Sequence, residues 1–102
     1  MKSSSVVSPE NFYSRKSSLE DLRRIPGVGK SIAIDLYRIG IRSVQDLRGR
    51  SPEALFDMSN QHAGLVQDRC LLYVFRCAVY FARTKRPVKE KLNWWWWKDK
   101  KA

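Results

Sequence analysis

Gly27 and Gly29 stand on either side of Val28, directly after Ile25-Pro26 and directly before Lys30-Ser31. A Gly-x-Gly turn that opens a helix leaves the first main-chain N–H groups without intrahelical acceptors. The aligned peptide dipoles add partial positive charge at the same end. Together they favour an anionic oxygen such as that of a phosphate. Pro26 fixes the entry of the chain, and the glycines let a foreign backbone approach closely. Lys30 and Ser31, in the first helical turn, add a charge and a hydroxyl donor. The chemistry is binding without bond making, and Pro26, Gly27, Val28, Gly29, Lys30 and Ser31 are its candidate residues. The competing reading is an ordinary corner between two helices.

Two further groups have residue types suited to the same partner. Arg69, Tyr73, Arg76, Tyr80 and Arg83 recur at spacings of four, three, four and three, one helix face that mixes cations with flat rings and is expected to point outward. Such a face can pair with phosphates and stack on exposed bases, or be simply solvated. Trp94, Trp95, Trp96 and Trp97 follow one another, flanked by Asn93 and Lys98. Consecutive side chains cannot all reach one core, so at least one ring is expected at the surface and two are expected to pack back over the helices. Arg76 and Lys98 join the six turn residues as candidate nucleic-acid contacts.

Catalytic and metal chemistry find less support. Asp35, Asp46, Asp57 and Asp68 are each expected on a different helix, so no carboxylates converge as a metal-dependent nuclease requires. Asp46 is explained as the reciprocal capping residue of Ser43, and a second lobe of the kind that holds a flipped base is not expected. Cys70 and Cys77, seven apart on one predicted helix, are separated by roughly 10 Å along its axis. They can neither form a disulfide with each other nor share one zinc ion with His62, so both are read as buried apolar thiols. His62 is read as a helix-end residue facing the last carbonyls. No catalytic residue, metal site or cofactor is expected.

The elements that would position these groups are marked by local signals. Residues 1–16 are Ser-rich and aperiodic and read as a flexible arm. Ser17 with Glu20 forms a capping box for a first helix that carries Leu19 and Leu22 inward and is ended by Pro26. A second helix is expected from Lys30 to Ile39, closed by Gly40. Ser43, with Asp46 as its reciprocal partner, opens a brief third helix that stops at Gly49. Ser51-Pro52-Glu53 opens a fourth that runs to about His62 and Gly64. The fifth and longest spans about Gln67 to Thr84 and has two apolar stripes, which predicts the central, most buried helix. Beyond Arg86-Pro87 an extended basic tail is expected.

The 102 residues allow one domain and one modest core. The net charge of +10 makes a polyanionic partner the natural one. Residues 1–30 hold six Lys+Arg against three Asp+Glu, residues 31–82 six against five, and residues 83–102 eight against two. The basic character therefore sits at the two ends. Met1-Lys2 is followed by no long apolar run of the secretory kind. The apolar stretch from Cys70 to Ala82 is interrupted by Arg76 and is shorter than the ~20 residues of a membrane span. A cytoplasmic setting without membrane contact is expected.

The run Leu22-x-x-Ile25-Pro26-Gly27-Val28-Gly29-x-x-x-Ala33-x-x-Leu36-x-x-x-Gly40-Ile41-x-Ser43-x-x-Asp46-Leu47 resembles the helix-hairpin-helix motif of DNA-repair and recombination proteins. A wider resemblance, over about residues 18–99, rests on Gln67-Asp68-x-Cys70, Phe75-Arg76-x-Ala78-Val79-Tyr80-Phe81 and Leu92-Asn93-Trp94-Trp95-x-Trp97-Lys98-Asp99. It is to short bacterial proteins named for a pathogenicity locus or for mitomycin resistance. The resemblance implies a helical DNA-binding-like domain in which Pro26 to Ser31 contact DNA backbone. The expectation is therefore an all-α, compact five-helix domain over 17–86, containing a helix-hairpin-helix motif, with a Trp-rich basic tail over 87–102 partly packed on it. Its expected function is non-sequence-specific DNA binding, linked to repair or stress resistance. The alternative is a protein-interaction module, in which the Trp strip docks a protein partner or a second copy of the chain.

Overall fold

The computed structural model describes residues 14–99, and all of their regular structure is helical. Four α-helices follow in order: α1 (Arg15–Leu22), α2 (Lys30–Arg38), α3 (Pro52–Ala63) and α4 (Arg69–Arg83). Short 3-10 segments lie at Val44–Leu47, Lys89–Leu92 and Trp94–Trp97. The expected flexible arm lies outside the described residues over 1–13. Its last three residues, however, belong to α1: Ser14 is the cap, and its hydroxyl accepts from the Ser17 N–H at 3.1 Å. Ser14 and Ser17 are equally suited to capping by type, and the helix starts at the earlier one.

The expected third helix is instead the single 3-10 turn Val44–Leu47, so the domain has four α-helices and not five. Only five residues separate Ser43 from Gly49, too few for a run of α-type bonds, and the tighter i+3 bonds form instead. Asp46 does cap this turn, but it accepts from the Arg42 N–H at 2.9 Å rather than from Ser43. Asp21 on α1 accepts the Val44 N–H at 2.8 Å, which ties the turn to the first helix.

Other ends match their local chemistry. Gly40, at φ 98°, closes α2 with its own N–H on Tyr37 O and the Ile41 N–H on Leu36 O, the paired bonds of a Schellman motif. Ser51 caps α3 through the Ala54 N–H, with Pro52 in the first turn. Asp68 caps α4, accepting from the Cys70 N–H at 2.8 Å.

The core is one cluster built around α4, whose Leu72, Val74, Phe75, Ala78 and Val79 meet Leu22, Ile25 and Val28 from the first helical pair, Leu36, Ile41 and Leu47 from the next stretch, and Leu55 and Phe56 of α3. Cys77 is fully buried beside this cluster, but Cys70 is exposed at the start of α4, against the expectation that both thiols are buried. Having its backbone N–H on Asp68 holds Cys70 at the helix mouth, outside the apolar stripe that begins at Leu71. On α1 it is Ser18 and Leu22 that are fully buried, while Leu19 is only partly so.

Candidate functional site

The connection between α1 and α2 is a type II turn. The Val28 N–H donates to Ile25 O at 3.0 Å, Pro26 sits at the second position, and Gly27 takes φ 88° at the third, where a side chain would be strained. Val28 turns its side chain into the core at 5% exposure, which anchors the turn from beneath. Gly29 is then the N-cap of α2, in extended geometry (φ −93°, ψ −167°) and with no side-chain cap. Among the described residues, the N–H groups of Gly29, Lys30, Ser31 and Ile32 find no acceptor. Gly29, Lys30 and Ser31 are exposed.

Gly29 differs from Gly27 in its reason for being small. Its backbone conformation is open to any residue, and a Cβ placed on it would meet no atom within 4 Å. Neither strain nor internal crowding requires a glycine there. What its smallness provides is room outside the protein, next to the unoccupied amides.

Beside the turn, Arg15, Lys16, Leu19 and Glu20 of α1, its C-cap Arg23 and Lys30 of α2 line a groove of about 510 Å³. Four of the six are cations, and among the described residues none is ion-paired. Arg15, Leu19 and Arg23 are spaced by four, one stripe of α1, so the pattern was present in the sequence but hidden by the assignment of residues up to 16 to an arm. The groove extends the positive potential of the α2 N-terminus along α1.

Two cations of α4, Arg69 and Arg76, are instead spent internally. The tail folds back on α4, and Asp99 accepts from Arg69 Nε, from Arg76 Nη1 at 2.8 Å and from the Tyr73 hydroxyl at 3.2 Å. Hydrogen bonds from Arg69 and then Arg76 hold the Asp99 carboxyl far below the usual carboxylate range. Arg76 also donates to Glu53 Oε2 through Nε and Nη2, and to Trp97 O through Nη1 at 2.9 Å. The Tyr80 hydroxyl accepts the Val88 N–H at 2.8 Å, and its ring lies 5.3 Å from that of Trp97. The Arg/Tyr face expected to point outward is thus partly covered: Tyr80 is buried and Tyr73 and Arg76 are half-buried, while Arg69 and Arg83 stay exposed. The physical reason is a long-range one, since Asp99 supplies the negative charge that these arginines share.

The tail is not extended. Trp94–Trp97 is a 3-10 segment, in which side chains three apart eclipse one another. Trp94 and Trp97 therefore share the inner side and are half-buried, while Trp95 and Trp96 are exposed at 56% and 40%. Trp97 Nε1 donates to Lys91 O at 2.7 Å. Trp94 lies close to Gly27, its Cδ1 3.8 Å from where a Cβ on that glycine would be. Lys98 Nζ sits 5.7 Å from the Trp94 ring centroid. The structure thus brings Lys98 toward the turn through Trp94, whereas Arg76 is engaged elsewhere, by Glu53, Asp99 and Trp97.

The four aspartates considered for catalysis lie on α2, the Val44–Leu47 turn, α3 and the α4 cap. Burial pushes the Asp35 carboxyl up, against the pull of Arg38 and His62. Burial also pushes the Cys77 thiol up to about 11, and the hydrogen bond with Asp68 pushes Cys70 up. His62 is exposed in the last turn of α3. Among the described residues no helix is long and apolar enough to cross a membrane.

These features define a small, basic, all-helical protein with an open helix N-terminus at one end and a self-latched aromatic tail at the other. The profile of the pathogenicity-locus family (Cdd1) matches residues 15–102, and the chain belongs to that family. The match begins at the first residue of α1 and runs through the tail, so helices and tail are one family unit. No curated protein and no solved structure matches it.

Proposed function

We propose that this chain binds DNA through the phosphate backbone, with the α1–turn–α2 unit acting as a helix-hairpin-helix motif. The observation that carries the reading is Gly29: an N-cap with no side chain, free amides behind it and open space in front. A phosphate oxygen fits such a position by charge and by hydrogen-bond geometry. Lys30 and Ser31 supply further donors, and the cations of the α1 groove lie where the next phosphates of the strand would run. Lys98, drawn in by Trp94, adds charge from the other side. Arg76 contributes by holding the tail and not by touching the ligand.

The turn carries no long polar side chain suited to base edges, so binding is independent of sequence and dominated by phosphate. The chain acts as a cytoplasmic binder without a bond-making step. The resemblance to mitomycin-resistance proteins is consistent with a role beside damaged DNA.

The test is fluorescence anisotropy of a short blunt duplex with wild type and Gly29→Ala across a salt series. Wild type is expected to lose affinity linearly in log–log form, with a slope of roughly −0.9 per phosphate contacted. The Ala variant is expected to bind severalfold more weakly at each salt while keeping its helical content, because the added methyl strains nothing inside the protein. Equal affinity of the two proteins would remove the turn from the interface and overturn the reading.

A further inference from the structure

We infer that the cavity of about 410 Å³ where the tail meets α3 and α4 receives one unpaired nucleobase from a DNA strand whose duplex part lies on the Gly29 turn. The inference rests on the duplex reading above and adds a substrate class to it: DNA in which a duplex adjoins single-stranded or extruded bases.

The cavity walls are Trp96 and Trp97 from the tail, Val79 and Arg83 from α4, and Pro52 and Glu53 from α3. Its volume lies within the range of roughly 300–1,000 Å³ typical of small-ligand sites. The two indoles meet at 68° with centroids 4.8 Å apart, forming a corner of π surface, and Trp96 is 40% exposed there. A base inside a duplex shows only its edges to the grooves, whereas an unstacked base offers a flat face that an indole can cover.

Charge narrows the occupant further. Arg76 at the cavity wall is neutralised by Glu53 and Asp99, but Arg83 and Lys98 have no carboxylate partner among the described residues. An apolar aromatic wall with two uncommitted cations at its rim matches a base attached to its own phosphates. It matches neither an uncharged ligand nor a neutral apolar helix.

Position links the cavity to the turn. Trp94, at one end of the 3-10 segment, lies against Gly27, and Trp97, at the other, lines the cavity. At a rise of about 2 Å per residue the two ends are about 6 Å apart along the segment axis. The 3-10 segment thus joins the turn to the cavity, and a strand held at the turn would run along it to place an unpaired base in the cavity. Lys98 serves both places, lining the cavity and lying over Trp94.

The experiment compares a blunt duplex with the same duplex carrying a short single-stranded extension, in which the first unpaired base is the fluorescent adenine analogue 2-aminopurine. Wild type, Trp96→Leu, Arg83→Gln and Gly29→Asp full-length proteins are titrated on both. Wild type is expected to prefer the extended DNA by roughly tenfold, with quenching of the analogue as it stacks on indole. Trp96→Leu is expected to abolish preference and quenching while keeping blunt-duplex affinity. Arg83→Gln, a change on α4 at a side chain with no ion pair among the described residues, is expected to reduce the preference severalfold. Gly29→Asp is expected to weaken both DNAs together.

Wild type binding both DNAs equally, or a preference that survives in Trp96→Leu and Arg83→Gln alike, would overturn the inference and leave the duplex reading standing. Failure of wild type to bind either DNA would overturn the duplex reading and the inference with it. A concentration-dependent dimer that is lost in Trp96→Leu would also overturn it, by showing that a second copy of the chain covers the indole.

Discussion

Two sets of cations in this molecule, those around the α1–α2 groove and the α4 arginines Arg69 and Arg76, use their charge in opposite ways. At the α1–α2 end, Arg15, Lys16, Arg23 and Lys30 surround a groove and a helix N-terminus, and among the described residues none of them is ion-paired. At the α4–tail end, Arg69 and Arg76 are drawn onto Asp99 and Glu53, and the aromatic rings between them are half covered. Net charge alone does not separate these regions. What separates them is whether the fold supplies an internal anion, since a cation already hydrogen-bonded to carboxylate has little left to offer a phosphate. The first set is therefore available to a ligand, whereas Arg69 and Arg76 hold the tail to the domain and leave the tail's own described cations without a carboxylate partner.

The largest expected effect breaks the second region. Trp97→Ala removes a half-buried ring, its contact with Tyr80 and its bond to Lys91 O, and is expected to cost about 3 kcal/mol in urea denaturation. Trp95→Ala, two residues earlier and exposed, is expected to stay within about 0.5 kcal/mol of wild type. Equal costs for the two would mean that the 3-10 segment does not sort its rings into inner and outer pairs.

Next in size is Gly29→Asp, which breaks the first region without harming the fold. An aspartate N-cap accepts from the free amides and complements the helix dipole, so the melting temperature is expected to rise slightly. Duplex affinity is expected to fall at least tenfold, about 1.4 kcal/mol, because the carboxylate takes the place proposed for phosphate. A variant that gained stability and kept its affinity would show that the amides do not face the ligand.

A pH titration sharpens the comparison further. The folded Asp99 carboxyl is held below its unfolded value of about 3.9. The latch is then fully stabilising above that value and is lost only as pH falls through and below it. Tryptophan emission is expected to stay constant from neutral pH to about pH 4.5 and to shift to the red on further acidification. A red shift already complete near pH 5 would mean that the carboxylate is not held by the two arginines.

The smallest effect is a rate. Cys70 is exposed and Cys77 is buried beneath the tail with its thiol pushed up to about 11, its Sγ 3.5 Å from Lys91 O. One thiol is expected to alkylate readily at pH 8 and the other slowly, with Asp99→Asn speeding the second as the tail loosens. Two equally fast thiols in wild type would show that the tail does not cover Cys77.

Legibility followed the range of the interaction. Pro26, Gly27, Gly40, Ser51 and Pro52 act on their nearest neighbours, so the turn and the ends of α2 and α3 could be read from a few residues at a time. The caps around Ser43 read as a brief helix, but the five residues before Gly49 allow only a 3-10 turn. A spacing of seven from buried Cys77 points to a shared stripe for Cys70, whereas the Asp68 cap leaves it at the exposed helix mouth. The covering of Tyr73 and Arg76 is not legible locally, because Asp99, the partner of Arg69 and Arg76, lies 23 to 30 residues further along the chain.

Residue order alone determined that this chain would be helical, basic at both ends and sharply turned at Ile25–Gly29, because those properties arise from dihedral limits, capping and composition within a few residues. Only the tertiary structure decided which cations stay free and which are consumed, and which tryptophans face inward. Those outcomes depend on a carboxylate and a helix face meeting across long separations, and such meetings are set by packing of the whole chain around α4.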